Sequence, residues 1–156
     1  MISNRKRSIT LATALIVGAC LEQAAFAQSN CKQAKGDIVW LPMPGTSSAQ
    51  ISNGGDLNGT IVFVDTSGPF ATPDPAIVSY ATDLTITTSQ GQLKATAVNF
   101  FDFSTLVGST QARINPAAST GRFAGAKGFL FLSGFSSGNP LTAHLEITGQ
   151  ICYATQ

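Results

Sequence analysis

From Asp83 onward, apolar and polar residues alternate with a period of two. Leu84 and Ile86 point one way; Asp83, Thr85 and Thr87 point the other. Leu93, Ala95 and Ala97 share a face against Lys94 and Thr96. Near the end, Leu141, Ala143, Leu145 and Ile147 share one face, and Thr142, His144, Glu146 and Thr148 the other. This is the period of a half-buried strand. Further β-rich runs are read at Gly36–Pro42, Asn58–Thr66, Leu106–Pro116 and Phe129–Phe135. The stretch from Pro44 to Asp56 reads as a polar loop carrying Asn53-Gly54, and Ser67 to Pro75 as a loop by its three prolines. Ser89 to Gln92 reads as a tight hairpin turn. Past the N-terminal segment, no stretch of ten or more residues carries a helical period. About eight short strands at this spacing predict an all-β sandwich or barrel. An eight-stranded barrel is just wide enough to be filled by its own side chains or to hold one small ligand.

One run asks for a choice. "STGRFAGAKGFLFLSG", Ser119 to Gly134, is rich in glycine and ends in alternating Phe and Leu. A phosphate-binding loop needs backbone N–H groups converging at the start of a helix. Gly121, Gly125 and Gly128 fit no such spacing, and a strand follows rather than a helix. These glycines are therefore expected at turns, bulges or close backbone approaches in a curved sheet.

The N-terminal segment differs from the rest. Arg5, Lys6 and Arg7 precede the apolar stretch Ile9–Leu21, and "AFA" at Ala25–Ala27 has small residues in cleavage-site spacing. This predicts a signal peptide over residues 1–27, cut after Ala27, and one secreted or periplasmic domain over residues 28–156. The apolar stretch falls short of the roughly 20 residues of a membrane span. A second reading stays open: "VGAC" resembles a bacterial lipobox, which would make Cys20 a lipid anchor.

Without residues 1–27 the chain keeps six basic and seven acidic residues. That balance lacks the basic stripe of a nucleic-acid binder. Two cysteines remain, Cys31 and Cys152, one near each end. In an oxidising compartment they are expected to pair, closing a loop worth about 4–5 kcal/mol by chain entropy. The pairing demands that first and last strands lie side by side, which favours a closed barrel over a sandwich. With only His144 beside these two thiols, no metal site is expected, and nothing points to a cofactor.

The run Thr120–Gly128, followed by "LEITGQIC", resembles the Gly-Arg-Phe-x-Gly-Ala-x-Gly region of the allene oxide cyclase barrel-like proteins, a group similar to the plant dirigent proteins. The resemblance implies a single eight-stranded antiparallel β-barrel with an apolar interior, often oligomeric. It implies a cavity that orients a reactive lipid or phenolic intermediate, and it transfers no catalytic residue to this chain.

Seven phenylalanines crowd between Phe100 and Phe135. They are read as core filling or, more sharply, as the lining of a cavity for a small apolar ligand. Phe63, Phe101, Phe103, Phe129, Phe131 and Trp40 are the candidate ligand-binding residues. The "FLFL" and "VNFF" runs are apolar on both faces, so part of the outer wall is expected to be covered by a loop or another subunit. His144 shares the polar face of its strand and is expected to point to solvent. No nucleophile turn of the G-x-S-x-G kind occurs. Three functions follow: binding of a small apolar ligand, an isomerase or cyclase steering a reactive intermediate, or a structural homo-oligomer.

Overall fold

The structure, a computed structural model, describes residues 30–42 and 45–155. The expected signal peptide and Cys20 lie outside the described residues. Eight antiparallel strands form a closed barrel in simple up-and-down order: β1 (Asn30–Trp40), β2 (Thr46–Ser52), β3 (Gly59–Ala71), β4 (Ile77–Thr88), β5 (Gly91–Asp102), β6 (Val107–Ile114), β7 (Lys127–Ser137) and β8 (Thr142–Tyr153). Closure is made by β1 against β8, paired residue by residue from Asn30–Tyr153 to Trp40–Ala143. Cys31 and Cys152 face each other in that register and are joined by a disulfide, Cα to Cα 3.8 Å.

Two expected loops are largely strand. The Pro44–Asp56 loop contains β2, and β3 runs on through Ser67, Gly68 and Pro69 to Ala71. β2 lacks an apolar signal because its inward positions are Ser47, Ala49 and Ile51, two of them small. β3 continues past Pro69 because its register with β4 shifts between Asp65 and Ser67 and again between Ser67 and Phe70. Such bulges take residues out of the ladder, and Pro69 sits in the second of them.

The alternation read from sequence is the alternation of the wall. Leu84, Ile86, Leu93, Ala95, Ala97, Leu130, Leu132 and Ile147 all point inward and are buried. The glycines of the Ser119–Gly134 run serve close packing. A Cβ on Gly128 (φ 134°) would strike the carbonyl oxygen of Gln150 on the next strand.

The two barrel ends differ. One is closed by short 3₁₀ turns at Gly55–Leu57 and Gly121–Phe123, whose Leu57 and Phe123 are fully buried beside Ile86, Leu93 and Ile151. At that end Asp56 is gripped by Lys32, Arg122 and Tyr153. The opposite end, where β1, β3, β5 and β7 finish, is left open by the described residues.

Candidate functional site

A cavity of about 410 Å³ opens at the unfilled end. Its apolar lining comes from Trp40, Val78, Tyr80, Phe100, Phe101, Phe103, Leu141 and Leu145. Trp40 is the last residue of β1, so its side chain comes in at the mouth. Phe101 and Phe103 meet edge to face at 5.0 Å where β5 turns into β6. The volume lies in the range of about 300–1,000 Å³ usual for small-molecule sites.

The six candidate residues divide. Trp40, Phe101 and Phe103 line the cavity. Phe63 is buried and stacks on Trp40 with ring centres 4.7 Å apart, so it supports the wall without lining it. Phe129 and Phe131 stand on the outer face, because the period of two that turns Leu130 and Leu132 inward turns them out. His144 also faces outward, stacked on Phe135 at 5.6 Å.

A polar chain runs along one side of the cavity. Thr110 Oγ1 donates to Asn99 Oδ1 at 2.6 Å. Asn99 Nδ2 donates to Thr82 Oγ1 at 2.6 Å and to the Tyr80 carbonyl at 3.2 Å. Thr82 Oγ1 donates to Asp65 Oδ1 at 3.3 Å, and Asp65 Oδ2 accepts from the Gly45 amide at 3.1 Å. Thr82 and Asn99 are buried, and this chain satisfies both. Thr110, Tyr80 and Asp65 line the cavity. Burial pushes the Tyr80 phenol above its ordinary value, and the Asp65 charge pushes it further. Tyr80 therefore holds its proton through neutral pH and is a donor there.

Comparison with solved structures finds the pterocarpan synthase dirigent protein. It is 17% identical, the match covers 98% of this chain and 100% of that one, and the TM-score is 0.33. Dirigent proteins are the group to which the allene oxide cyclase barrel-like proteins are similar; at this identity and score the likeness carries no argument. The barrel stands on its own strand pairing. No family model and no curated protein matches the chain.

The polar chain was not singled out from the sequence, though a signal exists. Tyr80 and Thr82 continue the face of Leu84 and Ile86, and Asn99 continues that of Ala95 and Ala97. A polar residue on the apolar face of an alternating strand must find partners inside. Trp40 adds a second oddity: its Nε1 is buried without a hydrogen-bond partner among the described residues. Among those residues no three His, Cys, Asp or Glu side chains gather as a metal site, and no helix is long and apolar enough to cross a membrane.

Proposed function

We propose that residues 28–156 are an exported barrel that binds one small apolar ligand at the unfilled end. The observation that carries this reading is the aromatic cavity itself, walled by Trp40, Tyr80, Phe101 and Phe103 and filled by no side chain of the described residues. The unpartnered Trp40 N–H adds support, since leaving such a donor unsatisfied costs about 1–3 kcal/mol and a ligand oxygen reaching it would recover that. Export is supported by the Cys31–Cys152 disulfide, a bond that persists in oxidising compartments.

Trp40 is the only tryptophan, so its emission reports the site directly. Titration with N-phenyl-1-naphthylamine is expected to quench Trp40 and brighten the probe in a saturable way. Leu145→Arg, which places a charge in the cavity, is expected to abolish both changes. Saturable binding that survives Leu145→Arg would remove the reading.

A second reading is favoured by the polar chain and Tyr80. A phenol that stays protonated beside an apolar wall can donate a hydrogen bond to an oxygen of a bound intermediate and so orient it, which is the steering an isomerase or cyclase needs. A ligand recovered chemically unchanged after incubation with the protein would remove this version and leave the first standing.

A further inference from the structure

The cavity carries one formal charge and no counterpart to it. Among the described residues that line it, Asp65 is the only acid, and Lys, Arg and His are absent. Asp65 follows Ile61 and Phe63 at the period of two, so it continues the inward face of β3. A charge on an apolar face is costly unless something answers it. The Asp65 oxygens accept one hydrogen bond each, from Thr82 Oγ1 and from the Gly45 amide, both neutral donors. Among the described residues both ion pairs go to Asp56, so no cation answers Asp65.

The same sign prevails around the mouth. The segments joining strands there, residues 41–45, 72–76, 103–106 and 138–141, contain no Lys, Arg or His, and Asp74 and Asp102 stand in or beside them. Hydrogen bonds from Ser104 and Thr105 pull the Asp102 carboxyl down to about 2, so it stays charged. The basic residues of the barrel lie elsewhere: Arg122 and Lys127 at the filled end, Lys32, Lys94 and Arg113 close to it, and Lys35 midway along β1. A field of this shape draws cations to the mouth and turns anions away. Burial raises the Tyr80 phenol first and the Asp65 charge raises it further, so that charge is felt inside the cavity. A field that disfavours a phenolate favours a cation.

Aromatic faces supply the other half of a cation site. Trp40, Tyr80, Phe101 and Phe103 line the same cavity. Trp40 stacks on Phe63, the residue next to Asp65 on the inward face of β3. Ring faces attract ammonium groups through their quadrupole, Trp most strongly. Given the cavity as the ligand site proposed above, on which this inference rests, we propose that its ligand is a small apolar cation: an ammonium group on a hydrocarbon body, with the positive end at Asp65. Asp65 is exposed, so the charged end keeps part of its water while the hydrocarbon is buried. A ligand ending in a carboxylate or phosphate would face Asp65 and meet no countercharge in the lining.

Displacement of N-phenyl-1-naphthylamine by three decyl compounds tests this: decyltrimethylammonium, 1-decanol and decanoate, each below its micelle-forming concentration. The cation is expected to displace the probe at about a tenfold lower concentration than decanol, and decanoate to be the weakest. Sodium chloride is expected to weaken the cation and not decanol, because the exposed Asp65 charge is screened. Asp65→Asn, with circular dichroism reporting an intact barrel, is expected to remove most of the preference for the cation over decanol. Probe binding with decanol or decanoate at least as strong as the cation would overturn the sign assigned to the ligand and leave the cavity as a ligand site. So would a preference for the cation that survives Asp65→Asn or, should that variant not fold, one indifferent to salt. A protein that takes up no probe at all would remove the ligand site itself, and the cation with it.

Discussion

Asp56 Oδ2 accepts from Lys32 Nζ at 3.3 Å, from Arg122 Nη2 at 3.2 Å and from the Tyr153 hydroxyl at 3.2 Å. Burial pushes its carboxyl up, but the hydrogen bonds from Lys32 and Tyr153 and the charges of Arg122 and Lys32 outweigh that and leave it below the usual range. The Tyr153 phenol moves the other way, pushed up to about 12 by burial first and then by the Asp56 charge and hydrogen bond. Both shifts stabilise the fold through the neutral range, and their contributions are lost at opposite ends of the pH scale. A lowered carboxyl contributes stability that is present above its unfolded value and lost as pH falls through the folded one. A raised phenol contributes stability that is present below its unfolded value, about 10, and lost as pH rises towards about 12. Melting temperature followed against pH is therefore expected to fall in acid below about pH 4 and again above about pH 10. Asp56→Asn should flatten part of the acid limb, and Tyr153→Phe part of the alkaline one. Unchanged limbs in both variants would show that this cluster does not hold the closed end.

The strands show which signals a sequence carries. Where a strand has large apolar residues on one face, as β4 and β5 do with Leu84, Ile86 and Leu93, its period of two is visible. β2 escapes notice because its inward side chains are small and its outward ones are Thr, Ser and Gln, the composition of a loop. Only its partners on β1 and β3 make it a strand, and those are tertiary facts. The same limit applies to the site. The aromatic side of the cavity was legible through Trp40, Phe101 and Phe103. Which phenylalanines face inward depended on register, and a one-residue step separates Phe129 outside from Leu130 inside. Gly128 offers a test at this scale. Its positive φ and its contact with β8 predict that Gly128→Ala destabilises by more than the ~1–3 kcal/mol that strained backbone alone costs. Gly55→Ala, also at positive φ but with open space around its Cβ, should stay within that range. Urea unfolding midpoints compare the two; equal losses would mean that the close approach of β7 and β8 contributes nothing.

At the scale of the molecule, the barrel is a ring with two unlike ends. The disulfide spans a sequence separation of 121, a closure worth about 5 kcal/mol in the chain-entropy model, and it joins strands that are also fully paired. It lies at the filled end with Asp56, Leu57 and Phe123, so stability is concentrated away from the cavity. That division leaves the other end free to keep an apolar hollow, which a filled core would otherwise close by packing. The most direct test is where an apolar molecule goes. Amide shifts followed by NMR during titration with N-phenyl-1-naphthylamine are expected to move at Trp40, Ser47, Tyr80, Phe101, Thr110 and Ala143, around the unfilled end. Shifts confined to Phe129 and Phe131 on the outer wall, or no shifts at all, would contradict the account.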